Sequence, residues 1–250
     1  MIGRVLARIG IVGLALAFVG AFRFAAAAQS VSIPPIPGLT TKGEPVSWTI
    51  LILLTLLTLL PAIVLSMTPF VRILIVFHFL RQALGTQTTP TNQTLSGLAV
   101  ILTYFLMAPV GAAIQQTAIV PLEHNKISAW QAIELSSVPL KNFMLKFTRE
   151  KDLALFVELS DQPRPKTPQD LPMSVVAPAY LISELKTGFQ IGAVLFLPFL
   201  VIDIVVASVT TSIGMFQLPP VVISTPLKIL LFVSVDGWNL VIGSLMKSFH

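Results

Sequence analysis

From Phe189 to Met246 the chain is almost uninterruptedly apolar, and Asp203, Lys228 and Asp236 are its only charged residues there. At a bilayer centre each such charge costs roughly 2.5–3.5 kcal/mol on insertion scales. A membrane helix keeps charges of this kind where they face a partner, a bundle interior or a water-filled path. The segment therefore demands a membrane protein whose working surface is turned towards protein or a pore rather than lipid. Of the 250 residues 54% are hydrophobic and 11% charged, and the mean hydropathy of +0.86 fits the same class. The absence of cysteine excludes disulfides, thiol nucleophiles and cysteine metal sites. A net charge of +5 comes without a basic cluster interleaved with aromatics, which argues against nucleic-acid binding.

Residues 1–28 read as a signal peptide. Arg4 and Arg8 precede the apolar run Ile9–Phe22, and Ala26 and Ala28 form a small-residue cleavage site before Gln29. Residues 29–47, rich in proline and glycine, read as an extended linker.

Four apolar stretches follow, Trp48–Met67, Leu95–Ile114, Phe189–Val209 and Val221–Met246. Each is near the ~20 residues that span a bilayer core. Each also contains a proline (Pro61, Pro109, Pro198, Pro226), which removes a backbone hydrogen bond and is expected to break or kink its helix. The expected fold is an all-α membrane protein of bent, proline-broken hairpins, one over 48–114 and one over 189–250. Between them, 115–188 holds 16 of the 27 charged residues and reads as amphipathic helices. Hydropathy and the positive-inside rule place Arg72 and Arg81 inside and 115–188 outside. Thr91 or Asn92 is expected to cap the helix that follows.

No enzyme signature appears: there is no Gly-Lys-Ser/Thr phosphate loop, and His78, His124 and His250 match no metal-ligand spacing. No catalytic residue, metal or cofactor is expected. Asp203, Lys228 and Asp236 admit two readings, a proton or ion path and a structural ion pair or subunit contact. The second is preferred, with Lys228 and Asp236, eight residues apart, on one side of one helix. Gly188 and Gly192 form a small-xxx-small pattern suited to close helix packing, and Gly214 ends a run of small residues with the same expected role. Met215, Phe216 and Gln217 form a short loop between Gly214 and Pro219-Pro220. Such bulky side chains are either filler or, with several copies around an axis, a plug.

Several ordered motifs resemble those of the FliP family: LPAIVLSMTPF over 60–70, RQALG over 81–85, PTNQ over 90–93, PAYLISELKTGFQIG over 178–192, PFLVID over 198–203 and VDGWN over 235–239. The resemblance covers about residues 50–250. It implies a ring of five subunits assembled with FliQ-like and FliR-like membrane proteins into the flagellar type III export gate. Unfolded flagellar subunits cross the bacterial inner membrane there, and the gate lies largely on the periplasmic side at the basal body. It also implies that the loop 214–220 closes the pore, with Met215, Phe216 and Gln217 at the constriction. Family members carry a methionine-rich loop at this place, whereas this chain has a single methionine followed by phenylalanine and glutamine. Glu184 and Lys186 join Asp203, Lys228 and Asp236 as expected buried charges or subunit contacts. Injectisome export gates share this fold, and the leader and linker favour the flagellar branch. An ion-coupled transporter working through Asp203 and Asp236 is the remaining alternative.

Overall fold

The computed structural model describes residues 46–160, 167–215 and 219–249. The expected cleavage site at Ala26, Ala28 and Gln29, the linker 29–45, and Phe216 and Gln217 lie outside the described residues. The chain divides into two compact units, residues 1–57 and 58–250. Of the first, the described part is the beginning of α1 (Val46–Ser66), a helix of 21 residues. At 1.5 Å per residue it measures about 31 Å, enough to span a bilayer core.

The second unit continues through α2 (Phe70–Ala83), α3 (Asn92–Ile114), α4 (Ala129–Phe147), α5 (Glu150–Leu159), α6 (Met173–Ser212), α7 (Pro220–Ser234) and α8 (Gly237–Lys247). A π-turn at Gln115–Ile119 and a short turn at Val120–Glu123 extend α3. Thr91 caps α3, its hydroxyl accepting from the Thr94 amide at 3.3 Å. Ser128 and Gln131 close a reciprocal capping box at the start of α4. α3 with its extension and α6 are each long and apolar enough to cross a membrane; the bent pairs α1–α2 and α7–α8 raise the number of candidate spans to four.

The helix around which the second unit is organised is α2. Its buried Ile73, Val76, Phe77, Leu80 and Ala83 recur at helical spacing, and it packs against α6 and α3. Ile73, Val76 and Phe77 meet Leu95 and Ala99 of α3 and Leu245 and Phe249 at the C-terminal end. Leu80 and Ala83 meet Phe199 of α6 and Phe232 of α7. A third cluster joins Met144 of α4 to Leu171 and to Val176 and Tyr180 of α6. Arg72 and Arg81, read from the sequence as part of a connection on the inner side of the membrane, thus belong to the most buried helix.

The prolines do not end their helices. Pro61, Pro109, Pro198 and Pro226 all lie inside α1, α3, α6 and α7. One missing amide donor leaves the rest of the helical ladder intact. The breaks fall elsewhere. Asp236, at φ 51°, separates α7 from α8, and the two helices meet at 67°. A Cβ on Gly237 would lie 2.2 Å from the Phe232 ring, so only glycine fits at the bend. Lys228 and Asp236 consequently stand on different helices rather than on one side of a continuous helix. The boundary drawn at 188/189 falls inside α6, which runs unbroken from Met173 to Ser212.

Much apolar surface remains uncovered. Leu59, Leu60, Ile63 and Val64 of α1 are half-exposed or more, as are Ile101, Tyr104 and Phe105 of α3 and Val194, Leu197, Val201, Ile204 and Val205 of α6. Faces of this size belong against lipid or protein.

Candidate functional site: buried ion pairs and the turn after α6

Three ion pairs tie α6 to its neighbours. The most buried joins Arg72 of α2 to Glu184 of α6, with side chains 4% and 0% exposed. The Arg72 guanidinium meets both carboxylate oxygens, Nε donating at 3.0 Å and Nη2 to the other oxygen. Such a bidentate fork is the strongest arrangement for this pair. Nη1 donates to the Ser248 carbonyl and hydroxyl at 3.3 and 3.1 Å. The guanidinium carbon lies 3.9 Å from the Phe249 ring centroid and 5.8 Å from that of Phe147. One cation therefore fastens α2, α6, the end of α4 and the C-terminal turn.

The second pair joins Lys186 of α6 to Asp152 of α5. Lys186, expected as a buried charge or subunit contact, has a side chain 51% exposed within the single chain, and Asp152 is the buried partner at 3%. The long lysine stem lets the ammonium keep water while reaching an acid that cannot. Ser183 Oγ donates to Asp152 at 2.8 Å and accepts from the Arg149 amide at 3.0 Å. Arg149 Nη2 donates to Thr187 and Gln190 of α6. Asp152 also lies in the first turn of α5, where the helix dipole favours an anion.

Burial of the Asp152 carboxyl works to raise its pKa, but the hydrogen bonds from Lys186 and Ser183 and the charges of Lys186 and Arg149 outweigh it. They hold the group below the usual carboxylate range. A depressed native pKa stabilises the fold above the unfolded value of about 3.9, and that contribution is lost as pH falls through the native value. The α5–α6 contact is thus expected to loosen in acid below about pH 4. Thermal unfolding in detergent should show a shallower acid limb for Asp152→Asn than for the unmodified chain; equal slopes would remove Asp152 from the account.

The third pair joins Asp203 of α6 to Lys228 of α7, at 2.5 Å and within one chain. Ser224 Oγ donates to the second carboxylate oxygen at 2.7 Å. Lys228 is buried, at 4%, and Asp203 is 30% exposed. Asp236, expected as a buried charge or subunit contact, is exposed within the single chain. It heads α8 and accepts from Asn239 Nδ2 at 3.2 Å. The reason is the bend: a residue in left-handed conformation between two helices is carried away from the face that Lys228 presents.

Gly188 and Gly192 do serve close approach. A Cβ at Gly188 would meet Ile75 at 3.2 Å, and one at Gly192 would meet the Phe79 side chain at 2.5–2.9 Å. Gly214 does not: nothing lies within 4 Å of its Cβ position. Its φ of 79° instead ends α6, with the Gly214 and Met215 amides donating to Thr211 and Thr210 carbonyls. That is a Schellman turn, which favours glycine at this position. Met215, 40% exposed, leaves the turn into the loop, and Pro219 and Pro220 start α7. Among the described residues no cluster of His, Asp or Glu is suited to hold a metal ion.

Sequence reasoning missed Asp152 and the C-terminal residues Ser248 and Phe249. It had Arg72 and Glu184 in view without joining them. Their opposite signs, each next to apolar sequence, were the available signal.

The FliP family model matches residues 53–245, which include all three ion pairs and the turn at Gly214. "Flagellar biosynthetic protein FliP" of Bacillus subtilis (strain 168) is 52% identical over 212 residues, covering 84% of this chain and 96% of its own. The protein of the same name from Pectobacterium carotovorum subsp. carotovorum is 50% identical over 222 residues, 86% of each chain. That of Aquifex aeolicus (strain VF5) is 41% identical over 221 residues, 87% of this chain and 92% of its own. Matched by the family model over residues 53–245 and by relatives 41–52% identical over most of their own length, this chain belongs to the FliP family.

Proposed function

We propose that this chain is the pore-forming structural subunit of a flagellar type III protein export gate, without enzymatic activity. It passes unfolded flagellar subunits across the bacterial inner membrane. Five copies form a ring with FliQ-like and FliR-like subunits, largely on the periplasmic side of the membrane at the basal body. The observation that carries this reading is the family match through both apolar halves of the chain. The relatives' names favour the flagellar branch over an injectisome. The uncovered apolar faces of α1, α3 and α6 suit assembly in a ring and contact with lipid. A transporter working through Asp203 is disfavoured, because that carboxylate is already engaged by Lys228 and Ser224.

The native mass of the chain in mild detergent, alone and co-expressed with FliQ-like and FliR-like partners, tests the reading. The expected result is a discrete particle holding five copies. A monomer or dimer that ignores both partners would refute it.

In this reading the loop after the Gly214 turn closes the pore, with Met215 and Phe216 filling the constriction and Gln217 beside them. Met and Phe both adapt to an irregular gap. Replacing Met215 and Phe216 together by alanine should raise ion leakage through the complete gate. Conductance equal to that of the unmodified gate would remove the loop from the closing role.

A further inference from the structure

Where α2 gives way to α3, a polar cleft of about 500 Å³ is lined by His78, Arg81, Gln82, Thr86, Gln87 and Val221. None of the three ion pairs reaches it, and among the described residues no carboxylate lines it. Arg81 commits one nitrogen, Nη1, to the Pro90 carbonyl at 3.3 Å and to Asn92 Oδ1 at 2.6 Å. Among the described residues, its Nε and Nη2 have no partner. His78 Nδ1 is held by the Leu74 carbonyl at 2.7 Å, so Nδ1 is the protonated nitrogen and the ring is fixed in place. Asn92 stands in the first turn of α3, which brings the positive end of that helix dipole beside the guanidinium.

The position of the cleft adds a second constraint. Arg81 lies in the last turn of α2, Asn92 in the first of α3 and Val221 in the first of α7. Three apolar helices therefore end at this cleft, as they would at the boundary between hydrocarbon and water. Val221, 57% exposed, gives it an apolar wall. An anion with bound oxygens fits the free guanidinium edge and the side-chain amides of Gln82 and Gln87. An attached acyl chain fits against Val221.

We infer that the cleft between the α2–α3 connection and the start of α7 binds a phosphate-bearing anion, and that the anion is the headgroup of an acidic phospholipid. The inference does not depend on the export-gate reading. Basic pockets between membrane helices hold anionic headgroups through this chemistry.

Native mass spectrometry of the full chain in neutral detergent tests it, with phosphatidylglycerol, phosphatidylcholine and inorganic phosphate as probes. Arg81→Gln removes the guanidinium. Gln87→Glu, at an exposed side chain, places a negative charge in the cleft without disturbing the Arg81–Asn92 contact. Phosphatidylglycerol should be retained over phosphatidylcholine and weakened about tenfold or more in both variants, the loss of one charge-assisted bond. Excess inorganic phosphate should leave that retention unchanged. Binding of inorganic phosphate that both variants abolish, without preference between the two lipids, would overturn the lipid source and keep the anion site. Phosphatidylglycerol retention unaltered by Gln87→Glu, or no preference for any of the anions, would overturn the proposal. If Arg81→Gln does not fold, Gln87→Glu decides alone.

Discussion

Glu184→Ala is expected to cost about 3–5 kcal/mol of stability, because it leaves the Arg72 guanidinium charged and buried with no counter-ion. Arg72 as a whole is 3% exposed and enclosed by Phe147 and Phe249. Water cannot reach it without opening the contact between α2, α6 and the C-terminal turn. For a chain of this length the cost corresponds to a fall in melting temperature of about 6–20 °C, read by thermal unfolding in detergent. Replacing both residues by leucine should cost less than Glu184→Ala alone, since a desolvated ion pair recovers little net energy over apolar packing. A single variant that melts within about 2 °C of the unmodified chain would show that the pair contributes almost nothing. A double variant less stable than the single one would show instead that the pair exceeds its desolvation cost.

Gly192→Ala carries the second large expected effect, about 1–3 kcal/mol of overpacking. The added methyl would sit 2.5 Å from Phe79 Cγ and 2.9 Å from its Cβ, too near the backbone end of that side chain for a rotamer change to relieve it. Phe79 also stacks edge-on against Phe189, with centroids 5.4 Å apart, which limits its escape. The α2–α6 contact would have to open. Gly188→Ala, one turn earlier, meets Ile75 at 3.2 Å and should cost clearly less. Unfolding of the two variants under one set of conditions checks the order. Equal midpoints would show that the α2–α6 spacing is not set at Gly192.

The apolar spans were legible in the sequence because bilayer thickness fixes their length and a charge inside them is rare enough to notice. Thr91 at its cap, Gly188 and Gly192 at their contacts and the turn before Pro219-Pro220 were legible for the same local reasons. The family motifs extended this to the whole described region. What failed was inference across distance. Proline was expected to break or kink four helices, but one missing amide donor leaves the rest of a long helical ladder in place. The break came at Asp236, where the Phe232 ring leaves no room for a Cβ at the next residue. Gly214 was expected at a helix contact and instead supplies a backbone angle.

The sequence by itself determined that the chain is a helical membrane protein of the FliP family with charges kept out of lipid, since those follow from composition, period and ordered motifs along the chain. Only the tertiary structure decided which charges meet. Arg72 with Glu184, Asp152 with Lys186 and Asp203 with Lys228 are separated by 112, 34 and 25 residues. Partner choice at that separation is set by which helix faces pack together, because burial stabilises a charge only beside the counter-ion that the packing brings to it.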